Sequence, residues 1–335
     1  MLPRVIELPV SFDKLTCFDR LAQLPHCLFL ESVTTADARG RYSFLAADPF
    51  EFLTLPPGEP NVARRLEDQL APFATAGIAS LPPFQGGAAG LIGYDLNQSL
   101  ELIATPRLDP LKIPAVAVGI YDVVVAFDHA TDQQWLISQG FPEIEENARS
   151  ERADRRAEFF LGVLTDGSAT RPLTTGTHSD ATLGESNFAP ETFVPIDRSD
   201  IPRGVMSNFS RSQYLQSVRR VVDYIRAGDA FQVNLAQQLF YPANTDSRTL
   251  YHRLRTRNPA PFAGYFDIDG TRQIVSASPE RFLRVAGGRV EARPIKGTRR
   301  RQPLPEADLY AGQELKDSEK DRAENIMILD LLRND

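Results

Sequence analysis

Four short β-prone runs follow one another between residues 263 and 293, and the turns between them restrict how the chain can fold. Residues 263–268 and 272–277 flank Asp269-Gly270, a pair that tight type I′ turns favour. Residues 281–286 and 289–293 flank Gly287-Gly288, and glycine adopts left-handed backbone without a Cβ penalty. Strands joined this closely pair antiparallel, because parallel neighbours need a long crossover. The spacing therefore predicts a meandering antiparallel sheet, ended at Pro294, which removes a ladder donor.

The last of these runs opens into a basic island, R-V-E-A-R-P-I-K-G-T-R-R-R over residues 289–301. Six of its thirteen residues are basic (Arg289, Arg293, Lys296, Arg299, Arg300, Arg301), against one acid, Glu291. In a chain of net charge -7, such an island suits a small anionic partner better than a generally basic role. The plainer alternative is a solvated strand end. Crowded cations favour a neutral, nucleophilic amine at Lys296, and Gly297 lets the backbone turn or approach a ligand closely. Glu280 falls at a neighbouring strand end, where pairing with Arg281 or Arg284 is the structural alternative to a chemical role.

Several classes are excluded by composition. No run of about 18 apolar residues is present, so no membrane-spanning helix is expected, and the N-terminus lacks the apolar core of a secretory signal. An acidic balance argues against nucleic acid, and the run at 299–301 lacks interleaved aromatics. Cys17 and Cys27 are the only cysteines, which speaks against a disulfide scaffold and fits a reducing cytoplasm. Four histidines (His26, His129, His178, His252) show no ligand spacing for zinc.

Along the chain, residues 28–32 and 40–45 read as strands and residues 61–73 as a helix. The glycine cluster at 85–90 lacks the ending of a phosphate loop and fits a strand needing close backbone approach. Residues 114–127 are β-branched central strands, and 143–162 a charged helix. Residues 165–204, rich in Thr, Ser, Gly, Asp and Pro, read as a linker or surface excursion between regions 1–164 and 205–335. Ser210 and Gln213 form a capping box for a helix stopped by Gly228. Residues 231–235 then alternate as a strand would, with Gln232 and Asn234 on one face. Residues 247–257 form a short helix ended by Asn258-Pro259. A last helix starts at Ser318-x-x-Asp321 and sets Glu324, Ile328 and Leu331 at i, i+4, i+7. A carboxylate on an apolar face needs a partner: Lys320 or Arg293 as an ion pair, or a hard cation such as Mg²⁺.

Four ordered motifs now carry a resemblance. Residues 228–235 (G-D-A-F-Q-V-N-L), Ser278-Pro279-Glu280, residues 294–298 (P-I-K-G-T) and residues 323–335 (A-E-N-I-M-I-L-D-L-L-R-N-D) resemble the chorismate-utilising enzymes. Leu30-Glu31-Ser32, residues 40–43 and the stretch 85–94 extend the similarity to the N-terminal half. The resemblance implies an α+β fold of largely antiparallel sheets packed as a sandwich with flanking helices. It also implies Lys296 as nucleophile, Glu280 as acid and base, Glu324 as a Mg²⁺ ligand, and Gln232, Gly297 and Thr298 as substrate contacts. Ser32, Arg41, Tyr42 and Phe262 match the positions of a tryptophan effector pocket. Implied partners are chorismate and a glutamine amidotransferase subunit that supplies ammonia, in the cytoplasm. Lysine at 296 with glutamine at 232 resembles the branch making 4-amino-4-deoxychorismate, with the anthranilate branch as runner-up. A non-catalytic tryptophan-binding module is the alternative from another class. The family continues beyond Arg333-Asn334-Asp335 with more strands and a second Mg²⁺ glutamate, so the expectation is an incomplete catalytic domain, inactive as it stands.

Overall fold

The computed structural model describes residues 2–34, 40–106, 109–166, 193–196, 198–297, 299–300 and 302–334. The chain begins with β1 (Arg4–Glu7), α1 (Lys14–Leu21), β2 (Leu28–Glu31), β3 (Tyr42–Ala46), β4 (Glu51–Leu55), α2 (Val62–Leu70) and β5 (Gly87–Ile92). It continues with β6 (Val116–Tyr121), β7 (Val123–Asp128), β8 (Gln133–Ser138), α3 (Glu146–Asp166), β9 (Val194–Pro195), β10 (Met206–Ser207) and α4 (Arg211–Ala227). It ends with β11 (Leu239–Phe240), α5 (Ser247–Arg257), β12 (Phe262–Asp267), β13 (Gln273–Ser278), β14 (Arg284–Ala286), β15 (Arg289–Glu291), α6 (Pro305–Asp317) and α7 (Glu319–Asn334). No helix among the described residues is long and apolar enough to cross a membrane.

Contacts divide the chain into two units. The first comprises Met1–Leu102, Pro114–Ala169 and Ser247–Asp335; the second comprises Ile103–Ile113 and Thr170–Asp246. The first unit is built on a seven-stranded sheet in the order β1-β8-β7-β3-β2-β12-β13, antiparallel at every pairing. A three-stranded sheet, β4-β6-β5, and the separate hairpin β14-β15 complete it. Every residue of β6 and β7 is buried, which is why both read as apolar, β-branched-rich runs rather than as apolar–polar alternation.

Aromatic packing on one face of the large sheet fixes its covering helices. Phe18 of α1 stacks on Phe29 at 5.1 Å and meets Tyr265 edge-on at 4.9 Å, and both Phe18 and Phe29 are fully buried. Burying such side chains contributes about 1.5–3 kcal/mol each. The helix α3 adds Ala157, Phe160 and Leu164 to the same core, one face of its 3.6-residue period.

A charge cluster lies in this core. Glu31 of β2, 2% exposed, accepts bonds from Tyr251 Oη (2.8 Å) and from Arg255 Nε (2.7 Å) and Nη2 (2.6 Å), both on α5. Lys14 of α1 reaches it at 2.9 Å. Beside the cluster β12 pairs with β2, Ala263 opposite Glu31.

The second unit pairs β9, β10 and β11 and carries α4, where both halves of the Ser210/Gln213 capping box form and Gly228 closes the helix at φ 83°. The helix buries no side chain; Val222, Tyr224 and Ile225 are exposed. Residues 167–192 and 197, most of the expected linker, lie outside the described residues.

Three local expectations are corrected. Residues 231–235 join no ladder, and Phe231 is 91% exposed; alternation without a neighbouring backbone does not make a strand. The loop around Asp269-Gly270 is longer than a two-residue turn, since Asp267 pairs with Gln273 and Asp269 Oδ1 accepts the amides of Thr271 and Arg272. The helix α6 was not expected, although Pro305 at its start and Glu306 and Asp308 in its first turn suit a helix N-terminus. By contrast Gly287 and Gly288, at φ 56° and 72°, make the two-residue turn between Ala286 and Arg289.

Burial pushes the Glu31 carboxyl up, but Arg255, Lys14 and Tyr251 outweigh it and hold the group below its ordinary value. A depressed carboxyl stabilises the fold above its unfolded value and loses that contribution as pH falls through its folded value. Glu31→Gln is expected to cost about 3 kcal/mol near neutral pH, measured by denaturant titration. The gap to the unaltered protein should narrow below about pH 4; a gap constant with pH would contradict the assignment.

Candidate active site

The hairpin β14-β15 brings two strand ends together. At the end of β13, Ser278 Oγ accepts the Glu280 amide at 3.2 Å and donates to the Glu280 carbonyl at 2.9 Å, so Ser278-Pro279-Glu280 forms a tight turn. β15 ends at Glu291, before the expected stop at Pro294, and Pro294 and Ile295 follow. The Ile295 amide donates to Glu280 Oε1 at 3.1 Å, which places the segment carrying Lys296 beside the turn carrying Glu280.

A cavity of about 330 Å³ opens there. Glu280, Arg281 and Lys296 line it with Phe282, Ile328 and Leu332, polar chemistry facing an apolar wall. Lys296 Nζ lies 3.9 Å from Glu324 Oε1. Lys296 thus stands as a cation beside Glu324, where the sequence had suggested Lys320 or Arg293. A larger cavity, about 450 Å³, lies beside Phe50, Phe73 and Phe141; no basic residue lines it, so it offers an anion little.

The basic island is largely neutralised by carboxylates. Glu291 pairs with Arg281 and, at 2.8 Å, with Arg293. Arg299 lies 3.3 Å from Asp321 and 3.9 Å from Glu314. The expected crowd of unpaired cations about Lys296 is therefore corrected. Glu291 belongs to the island itself, but the acids beside Lys296 and Arg299 come from α6 and α7, and spacing along one stretch could not reveal them.

Gly297 has φ 74°, and a Cβ there would lie 2.7 Å from Leu315 Cδ1 and 3.1 Å from Asp321 Cγ. The glycine is thus required both for its backbone and for close approach to α6 and α7. Thr298 lies outside the described residues. Gln232 lies in the second unit, on the segment after α4.

The four effector positions gather at one end of the adjacent strands β3, β2 and β12. Ser32 Oγ donates to the Pro261 carbonyl at 3.1 Å, and its amide donates to Ser43 Oγ. Arg41 holds Asp128 through Nε (3.0 Å) and Nη2 (2.7 Å), with its guanidinium 4.8 Å from the Tyr42 ring centre. Asp128 is held below its ordinary value chiefly by that arginine. Phe262 starts β12 opposite Ser278, under the Arg281 guanidinium at 5.9 Å. Arg281, the expected alternative partner of Glu280, pairs instead with Glu291; the turn made by Ser278 was not expected, and a serine two residues before the acid was the available signal for it.

Among the described residues no three His, Cys, Asp or Glu side chains form a metal cluster. Glu324 supplies a hard carboxylate beside Lys296, in addition to Glu280 on the cavity wall. One carboxylate suits Mg²⁺, which commonly keeps several waters and takes few protein ligands.

Comparison with known proteins bears on this site. The family model described as chorismate binding enzyme matches residues 26–335. Anthranilate synthase component 1 of Thermus thermophilus is 38% identical over 255 residues, covering 76% of this chain and 48% of that protein. Aminodeoxychorismate synthase component 1 of Salmonella typhimurium is 32% identical over 353 residues, covering 99% of this chain and 68% of that protein. The chain thus spans about half to two thirds of the length of these relatives. The crystal structure of anthranilate synthase component I from Streptococcus pneumoniae superposes with TM-score 0.64 at 23% identity, covering 89% of this chain and 62% of that one. It shares the fold, mixed helix and antiparallel sheet with the sheets not closed.

Gly297→Ala places a Cβ in left-handed backbone, a strain of about 1–2 kcal/mol. Trypsin should cut faster after Arg299 and Arg300 in that variant, with little change in the global unfolding midpoint. Unaltered cleavage would mean the loop does not depend on this glycine.

Proposed function

The chain belongs to the chorismate binding enzyme family, and from that premise we propose that it acts as component 1 of an aminodeoxychorismate synthase. The reaction is amination of chorismate to 4-amino-4-deoxychorismate, the precursor of 4-aminobenzoate for folate. The observation that carries this reading is Lys296 itself, an amine lining the same cavity as Glu280. Its relatives divide between aminodeoxychorismate synthase and anthranilate synthase, and a nucleophilic lysine favours the former. The anthranilate reaction is the competing reading.

Chorismate carries two carboxylates on a partly apolar ring system, which suits a cavity with Lys296 and Arg281 on one side and Ile328 and Leu332 on the other. Lys296, once parted from Glu324 and deprotonated, attacks C2 through Nζ. The two conjugated ring double bonds shift, from C1–C2 to C1–C6 and from C5–C6 to C4–C5, and the C4–O bond breaks. Glu280 delivers a proton to that oxygen, which leaves as water. Ammonia then bonds to C4, both double bonds return, and the C2–N bond to Lys296 breaks. Glu280 takes up the proton shed by the incoming nitrogen. The hydrogen bond from the Ile295 amide occupies Oε1 only, leaving the other carboxyl oxygen to move protons.

Mg²⁺ is proposed as cofactor, with Glu324 as one ligand; when bound it would draw electron density from the ring carboxylate. Gln232, Gly297 and Thr298 are proposed as substrate contacts. The ammonia donor is proposed to be a glutamine amidotransferase partner, in keeping with the component 1 names of the relatives. Tryptophan is the proposed ligand at Ser32, Arg41, Tyr42 and Phe262; it would displace the bonds Ser32 and Arg41 now make. We place the activity in the cytoplasm.

The test is turnover of chorismate with Mg²⁺ and ammonium by the longer catalytic domain that the resemblance implies, with products separated by chromatography. 4-Amino-4-deoxychorismate is expected, and Lys296→Ala should lower its formation by about 10³-fold or more. Anthranilate as the product, or undiminished turnover in the variant, would overturn the reading.

A further inference from the structure

The hairpin that delivers Lys296 is poorly held by its own packing. β14-β15 is a separate two-stranded sheet, and its residues are exposed apart from half-buried Glu291. An isolated two-stranded hairpin is marginal in water. Yet the proposed chemistry asks Lys296 and Glu280, on different segments, to meet C2 and the C4 oxygen of one ring in register. Something must tie the hairpin to the large sheet.

Arg281 makes that connection. It follows Glu280 directly, and its Nη2 donates to Glu291 at the end of β15. Its guanidinium carbon lies 5.9 Å from the centre of the Phe262 ring, on β12 in the large sheet, where Phe262 pairs with Ser278. One side chain thus joins the large sheet, the Glu280 turn and the strand leading to Lys296. Its Nε is buried with no hydrogen-bond partner among the described residues. A donor enclosed in this way opposes folding, so the guanidinium is held there by its other two contacts. Arg281 lines the cavity, but Nε is enclosed and Nη2 is taken up by Glu291.

We propose that Arg281 is a positioning residue, fixing the spacing of Glu280 and Lys296 by clamping β15 to the Phe262 edge of the large sheet. The inference rests on the chorismate reaction proposed for this site, but its geometry can be tested separately. A planar fork is required, so a lysine at this position should not substitute.

The experiment compares Arg281→Met, Arg281→Lys, Glu291→Gln and the exchanged pair Arg281→Glu/Glu291→Arg. Each is assayed in that longer catalytic domain with chorismate, Mg²⁺ and ammonium, and each is followed by amide hydrogen exchange. Arg281→Met is expected to lower kcat by about 10- to 100-fold with KM for chorismate changed less than about threefold. Exchange should accelerate at Ile295 and across residues 284–291 but not in β2 or β3. Arg281→Lys should behave like Arg281→Met, Glu291→Gln should fall between, and the exchanged pair should recover part of kcat. Higher KM at unchanged kcat would make Arg281 a substrate ligand and overturn the proposal. Unaltered exchange in the hairpin of Glu291→Gln, which keeps the volume of the side chain, would overturn it too. A wild-type protein that leaves chorismate untouched would defeat the functional reading instead, while the exchange comparison would still decide the clamp.

Discussion

The fold of the first unit turns on one buried carboxylate. Glu31 sits in β2 near the start of the chain, yet its ligands come from α1 and from α5, more than 200 residues later. A buried anion is tolerable only when cations and donors surround it, so the cluster strongly disfavours any arrangement that leaves α5 elsewhere. With α5 fixed, β12 pairs against β2 and β13 against β12. The strand end that carries Glu280 is thereby attached to a sheet whose other strands come from the first 140 residues.

The candidate site sits at the margin of that rigid sheet and is built from less secure parts. Its three acids and bases of interest belong to a strand-end turn, a segment beyond a small hairpin, and the helix α7. Short polar contacts join them: Glu280 with the Ile295 amide, Lys296 with Glu324, Arg299 with Asp321. What looked like a free basic island is a set of paired charges around a cavity with an apolar wall. Lys296 and Arg281 line that cavity, with Arg281 already engaged by Glu291, a narrower and more selective offer to an anion than a diffuse positive patch.

Much of this was legible in the sequence because the signals were local. The capping box at Ser210 and Gln213, the glycine pair at 287–288 and the apolar, β-branched-rich runs at 116–128 each encode their own conformation. Glu280 and Lys296 could be singled out from motif and charge, and the structure brings them to one cavity. The failures share one cause. Residues 231–235 had the alternation of a strand but no neighbour to pair with, and α6 carried N-terminal helix signals without a strong apolar stripe. The partners of Arg281, Arg293 and Arg299 lay two to twenty-two residues away across turns, where spacing carries no information.

By itself, then, the sequence determined antiparallel pairing, helix ends, the family, and the residue types available for chemistry, because these depend on period, backbone allowance and local hydrogen bonds. Tertiary structure decided that β12 inserts beside β2, that Glu324 faces Lys296, and that Arg281 rather than a free cation links the hairpin to the sheet. Those outcomes depend on satisfying buried charge across distant segments, and no local pattern specifies which acid will meet which base.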